Sequence, residues 1–129
     1  MQAWHDRGIK CSIYSSGSIF AQKLLMEHIQ DVSSADPKAT IDRRDLIEMW
    51  FDTTNAGVKT ERGSYVKIAE GLGRSLGSVL FLSDSVGEVK AAREAGMRGI
   101  VVCRPGNAEL AEGEREAFDV VTSFEQIEL

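Results

Sequence analysis

Two short apolar runs, "SVLFLSD" ending at Asp84 and "GIVVCR" ending at Arg104, constrain this chain more than any other feature. Each is too short for a helix of its own and is rich in β-branched and aromatic residues, so each reads as a strand. Neither alternates apolar with polar, which is the pattern of strands buried on both faces. The segment between them, "VGEVKAAREAGM", reads as a helix closed by Gly96. Strand, helix, strand in this form argues for an α/β fold with a mostly parallel sheet and flanking helices.

The rest of the chain extends that alternation. "MQAWHDRG" reads as the end of a helix with Gly8 as its stop, and "IKCSIYS" as a strand. From Ser18 the period changes: Ala21, Leu24, Leu25 and His28 fall at helical spacing, which predicts that this face, with His28 partly buried, meets the core. "QDVSSADPKATIDRRD" reads as a loop, "DLIEMW" as a helical turn, "WFDTT" as a short strand and "NAGVKT" as a turn. "ERGSYVKIAEGLG" places Tyr65, Ile68, Ala69 and Leu72 on one helical face, with glycines at its end. "AELAEGEREAF" holds an acidic helical turn or two, and "DVVTSF" a last short strand. "GLGRSLG" follows a helix and precedes a strand, the reverse of a dinucleotide-binding loop, so its glycines read as a helix stop and turn.

At 129 residues the chain fits one domain spanning positions 1–129, able to bury roughly two-thirds of the surface its unfolded form exposes. The net charge of −5 and the absence of Lys/Arg runs with interleaved aromatics argue against a nucleic-acid partner. No apolar run reaches the length of a membrane span, so no membrane partner is expected. Cys11 and Cys103 match no metal spacing and sit in apolar runs, which predicts buried free thiols in a reducing compartment, the cytoplasm. Met26, Met49 and Met97 read as packing residues.

In parallel sheets, ligands bind beyond the carboxyl ends of the strands. Polar clusters stand at three such ends: "SSGS", "DTTNAGVK" and "SDSVGE". Ser15, Ser16 and Gly17 lie where a helix begins, and unpaired N–H groups there attract anions. The same stretch also fits a plain N-cap by Ser16 or Ser18. Lys59 presents a compact cation suited to a phosphate oxygen. Asp84, at the tip of an apolar strand, suits a hard cation such as Mg²⁺. Glu88 either shares that site or simply occupies the first turn of the next helix, where the dipole favours it.

A serine after one strand, a lysine before a helix and an acidic strand end later on together resemble three motifs of the haloacid dehalogenase superfamily. "IYSSGSIFAQKLL", "WFDTTNAGVKTERGSYVKIAEGLG", "VLFLSDSVGEVKAAREAG" and "RPGNAEL" more closely resemble successive segments of the enolase-phosphatases of L-methionine salvage. The resemblance runs from about Lys10 to the C-terminus. It implies a Rossmann-like core and a Mg²⁺-dependent phosphohydrolase. Such an enzyme enolises and dephosphorylates 2,3-diketo-5-methylthiopentyl 1-phosphate to an acireductone. Carried over by position, it implies that Ser15, Ser16 and Lys59 bind the substrate phosphate, with Lys59 catalytic. It also implies that Asp84 ligates Mg²⁺ while Gly17 and Glu88 support the site. A monomer is implied for the full family enzyme, in the cytoplasm with the nucleus as a second location.

One departure is large. The family's nucleophile is the first Asp of an Asp-x-Asp/Glu-Gly-Thr motif ending the first, central strand of a sheet ordered 5-4-1-2-3, and no such motif occurs here. "FDTTN" lacks the second acid and the Gly-Thr. The cap domain inserted after that strand is also absent. The expectation is a C-terminal part of the enzyme, inactive alone, with two half-sheets whose unpaired edges could pair in a dimer. The alternatives are another phosphatase of the superfamily, a receiver-like phosphoacceptor domain or a binding-only phosphate domain. A receiver places its acceptor Asp before the lysine, whereas Lys59 precedes Asp84.

Overall fold

The computed structural model describes residues 1–129, which divide into two compact units, Met1–Gly57 and Val58–Leu129. Each holds parallel strands, so the chain is a mixed α/β protein as the alternation predicts.

The first unit opens with the short helix α1 (Gln2–Asp6), and Gly8 follows it at φ 79°, a left-handed stop that glycine adopts without steric cost. Strand β1 (Cys11–Tyr14) leads through the turn Ser15–Ser18 into helix α2 (Ile19–Glu27). Ser18 caps that helix, its Oγ accepting from the Ala21 N–H at 3.2 Å. The long polar segment that follows is a loop apart from a two-residue antiparallel ladder, β2 (Ile29–Gln30) with β3 (Thr40–Ile41). A single 3-10 turn, Arg44–Leu46, precedes β4 (Ile47–Phe51), which pairs parallel with β1. The helical turn expected over "DLIEMW" is therefore shorter, and the strand begins earlier. Ile47, Met49 and Trp50 are drawn into register with Cys11, Ser12 and Ile13, and this pairing outweighs the local preference of the segment.

Helix α2 corrects the expected face. Leu24, Leu25 and His28 are exposed, as is Phe20 at 77%. The side chains turned inward are Gln22 and Met26, one helical turn apart. Met26 joins Leu46, Ile47, Phe51 and Ala56 among the buried residues. The reason for the rotation is polar: Gln22 donates to two backbone carbonyls, as described below, and a count of apolar positions does not register that pull.

The second unit starts with α3 (Arg62–Leu72), whose Tyr65, Ile68 and Ala69 are buried on the expected face. Gly73 ends it at φ 63°, confirming the "GLG" stretch as a stop. Strand β5 (Leu80–Ser83), helix α4 (Val86–Ala95) and strand β6 (Arg98–Val102) follow in order, and α4 ends at Gly96 as predicted. Helix α5 (Glu112–Ala117) and the short β7 (Val120–Val121) complete the unit. The sheet order is β5-β6-β7, all parallel. Val89, Ala91 and Ala92 of α4 pack at the core with Ile100, Val101 and Val102 of β6. Gly99 permits this approach: a Cβ there would lie 2.9 Å from both Val89 Cγ1 and Arg93 Cγ.

Two burial expectations change. Strand β5 is half-buried along its length rather than buried on both faces, because it is an edge strand paired only with β6. Cys11 and Cys103 are free thiols but half-buried, and burial pushes the Cys11 thiol pKa up. Strand β1 likewise has one partner, β4.

Candidate functional site

Of the predicted residues, Lys59, Asp84 and Glu88 lie in the second unit and Ser15, Ser16 and Gly17 in the first. In the second unit, β5 ends at Ser83 and Asp84 follows. Lys59 Nζ lies 2.8 Å from Glu88 Oε2, and both side chains are largely buried. The same carboxylate oxygen accepts from Ser83 Oγ at 2.7 Å, and Ser83 Oγ accepts from the Ser85 N–H at 3.1 Å. The backbone N–H of Glu88 donates to Ser85 Oγ, the cap of α4. Glu88 sits in the first turn of α4, the second of the two alternatives, and its carboxylate is turned onto Lys59. A charge pair with a further hydrogen bond is a firmer anchor than a lone surface ion pair, because the acceptor is itself held in place. Lys59 is fixed from its backbone as well, since Tyr65 Oη donates to the Lys59 carbonyl.

Asp84 is exposed, and its Oδ2 accepts from Asn107 Nδ2 at 3.1 Å. Asn107 is held in turn by the Arg104 N–H, which donates to its Oδ1 at 2.7 Å. The ends of the adjacent strands β5 and β6 are thus tied by one amide. Sequence reasoning passed over Asn107 and Ser83. Their signal was position, a polar residue at or just beyond a strand end, but both stood inside motifs read for other residues.

As for metal, Asp84 supplies one hard oxygen donor of the kind Mg²⁺ takes, and Mg²⁺ is commonly bound by one or two carboxylates with substrate phosphate and water. No group of three or more His, Cys, Asp or Glu side chains is arranged to hold a metal ion. The residues present thus fit Mg²⁺ as a shared ligand set rather than as an all-protein cage.

In the first unit, β1 and β4 end together at Tyr14 and Phe51, and the turns Ser15–Ser18 and Asp52–Asn55 follow. Ser15 is half-buried, whereas Ser16, Gly17 and Ser18 are exposed. The Gly17 N–H donates to Ser15 Oγ at 3.1 Å, which leaves the Ser15 hydroxyl proton to donate elsewhere. Gly17 has no positive φ, and a Cβ there would meet only Ser15 Oγ, at an ordinary 3.6 Å. Backbone strain therefore does not demand glycine at this position. The cap is Ser18, one of the two serines proposed for that role.

Asp52 is buried and accepts from the Thr54 hydroxyl, the Thr54 N–H, the Asn55 N–H and, on its other oxygen, the Ile19 N–H. Hydrogen bonds from Thr54 first, then from Ile19 and Asn55, hold its carboxyl below the usual carboxylate range against the opposing effect of burial. Asp52 drew attention in sequence only as an incomplete nucleophile motif. The structure gives it a different place, as a ligand for backbone amides.

The fold is shared with solved proteins. A HAD family enzyme from Bacteroides thetaiotaomicron, in complex with magnesium and inorganic phosphate, has the same fold: TM-score 0.60 at 17% identity, over 86% of this chain and 52% of that one. The fold is therefore that of the haloacid dehalogenase superfamily. A closer match is the crystal structure of the UTR4 protein (Unknown transcript 4 protein) of Saccharomyces cerevisiae, with TM-score 0.85 and 36% identity over 97% of this chain and 54% of that one. In sequence, the chain is 47% identical over 122 residues to Enolase-phosphatase E1 of Clavispora lusitaniae, covering 95% of this chain and 51% of the relative. No family model matches the chain. The chain is similar to proteins named Enolase-phosphatase E1 over nearly its whole length, the resemblance its motifs carry, and it spans about half the length of the curated relatives it matches.

Proposed function

We propose that this chain carries phosphate- and magnesium-handling residues of a haloacid dehalogenase phosphatase of the enolase-phosphatase kind. Its substrate is 2,3-diketo-5-methylthiopentyl 1-phosphate, which is enolised and dephosphorylated to an acireductone. The observation that carries the reading is the Lys59 amine paired with Glu88, whose carboxylate also accepts from Ser83, the residue before the strand-end Asp84. Lys59 neutralises phosphate charge, and Glu88 keeps its amine in place. Ser15 and Ser16 donate hydroxyls to phosphate oxygens, with Gly17 shaping the turn. Asp84 holds Mg²⁺, which when bound screens the phosphate's negative charge. Phosphoryl transfer depends mainly on such positioning and charge neutralisation.

These residues include no Asp-x-Asp/Glu-Gly-Thr carboxylate to attack the phosphorus, so the 129-residue chain alone binds but does not turn over. The unpaired edges of β1 and β5 allow it to dimerise in isolation, whereas the full family enzyme is a monomer. No helix is long and apolar enough to cross a membrane, and the cytoplasm, with the nucleus second, suits the reading.

Calorimetric titration tests it. The chain with Mg²⁺ should bind the diketone phosphate more tightly than generic phosphomonoesters, and Lys59→Ala should weaken that binding about tenfold or more. Equal affinity for all phosphomonoesters would shift the reading to another phosphatase of the superfamily. Stable phosphorylation of Asp84 by a small phosphodonor would replace it with the receiver reading.

A further inference from the structure

We infer that Gln22 and Asp52 are positioning residues that aim the backbone of the Ser15–Ser18 turn at the phosphate. The inference rests on the proposal that this turn binds phosphate. It begins with an oddity: the first unit buries a neutral amide and a carboxylate, at 6% and 7% exposure, while leaving Phe20 and Leu25 outside.

Gln22 Nε2 donates to the Gly17 carbonyl at 2.9 Å and to the Phe51 carbonyl at 2.8 Å. Its Oε1 is buried without a hydrogen-bond partner. An orphan acceptor is unfavourable, and methionine would fill similar space without one. What the amide supplies and methionine cannot is its pair of donors. Those donors hold the end of β4 and the phosphate turn in one fixed relation.

The consequence follows from peptide planarity. In a trans peptide the C=O of Gly17 and the N–H of Ser18 point in opposite directions. Gln22 holds the Gly17 oxygen, so the Ser18 N–H is directed away from Gln22, on a residue that is itself exposed. An inward carbonyl also removes a repulsive oxygen from any anion bound at the turn. Asp52 completes the setting by accepting from the Ile19 N–H at 3.2 Å, which fixes the first residue of α2. Its other oxygen is anchored by Thr54 and Asn55, and its own N–H donates to Asn55 Oδ1 at 2.8 Å. The Gly17 N–H is committed to Ser15 Oγ. The amides of Ser15, Gly17 and Ile19 are thus engaged within the protein, the first by donating to the Phe51 carbonyl at 3.1 Å, and that of Ser18 is aimed outward.

Amide-resolved NMR of the 129-residue chain tests this without any substitution. Adding inorganic phosphate with Mg²⁺ should shift the Ser18 amide strongly while Gly17 and Ile19 move little. Shifts at Gly17 and Ile19 as large as at Ser18 would overturn the assignment. Variants extend the test. Gln22→Met should weaken phosphate binding about tenfold, the worth of one charge-assisted hydrogen bond, with no loss of thermal midpoint. Asp52→Asn should speed hydrogen exchange at Ile19 and weaken phosphate binding. Wild-type binding with unchanged affinity in both variants would refute the positioning role and leave the phosphate reading standing. A wild-type chain that binds no phosphate would refute the phosphate reading and this inference together.

Discussion

The two units solve the problem of holding a strand end still in different ways. The second does it with apolar packing. Tyr65, Val89 and Val101 are fully buried, and the Tyr65 ring meets Phe81 edge-on at 4.9 Å. Lys59, Glu88 and Asp84 stand on the elements this core fixes. The first unit does it with polar pins. Its buried residues include Gln22 and Asp52, and both are spent on backbone groups around the Ser15–Ser18 turn. The contrast teaches that burial here does not mean the same thing twice. In one unit it stabilises, and in the other it chiefly directs.

That contrast can be broken by substitution. The largest effect is expected at Tyr65→Ala, which empties a fully buried aromatic site and also removes the hydroxyl that donates to the Lys59 carbonyl. Urea denaturation should show a loss of about 3–5 kcal/mol. A loss under about 1 kcal/mol would mean the second unit does not depend on this core. Next comes Gly99→Ala. Its Cβ would press on Val89 and Arg93 at 2.9 Å and on the Val89 carbonyl at 3.2 Å. Separation of α4 from β6 should lower stability by about 1–3 kcal/mol, read from the same unfolding curves.

Smaller is the response of the first unit to acid. Asp52 has a lowered pKa when folded, through hydrogen bonds from Thr54, Ile19 and Asn55. Its stabilising contribution is complete above the unfolded carboxylate value of roughly 4 and is lost as pH falls through the lowered folded value. Asp31 and Asp42 in the same unit share the direction, held by Ser33 and Arg44 respectively. Amide signals of the first unit should therefore broaden below about pH 4, and Asp52→Asn should flatten part of that dependence. A wild-type profile no steeper than that of the variant would show that the Asp52 pin contributes nothing. The smallest effect is expected at Leu25→Ala on the exposed face of α2, within about 0.5 kcal/mol. A loss near that of Tyr65→Ala would show that this face is packed in solution.

The order of elements was legible because each strand and helix carries its own local signal. Glycine stops at Gly8, Gly73 and Gly96 and the apolar run of β6 needed no tertiary information. The face of α2 was not legible. Its inward side is set by hydrogen bonds from Gln22 to carbonyls of Gly17 and Phe51, one of them 29 positions away, and no periodicity of apolar residues encodes those. Strand β5 misled in another way. Its composition suits burial on both faces, yet with β6 as its one neighbour its residues stay half-exposed. In the candidate site, strand-end position is what singled out Ser15, Ser16, Lys59 and Asp84 as proposals. Glu88 stood out as well, as an acid four residues past Asp84, but its pairing with Lys59 did not, and Ser83 and Asn107 are identified by distance, which a sequence does not carry.

We propose, then, that this chain holds the phosphorylated substrate but lacks the carboxylate that would attack it. Phosphorus NMR of 2,3-diketo-5-methylthiopentyl 1-phosphate mixed with the 129-residue chain and Mg²⁺ tests both halves at once. The predicted result is a substrate signal that shifts and broadens on binding and never converts to inorganic phosphate. Steady conversion to inorganic phosphate, or a substrate signal the protein leaves unchanged, would contradict it.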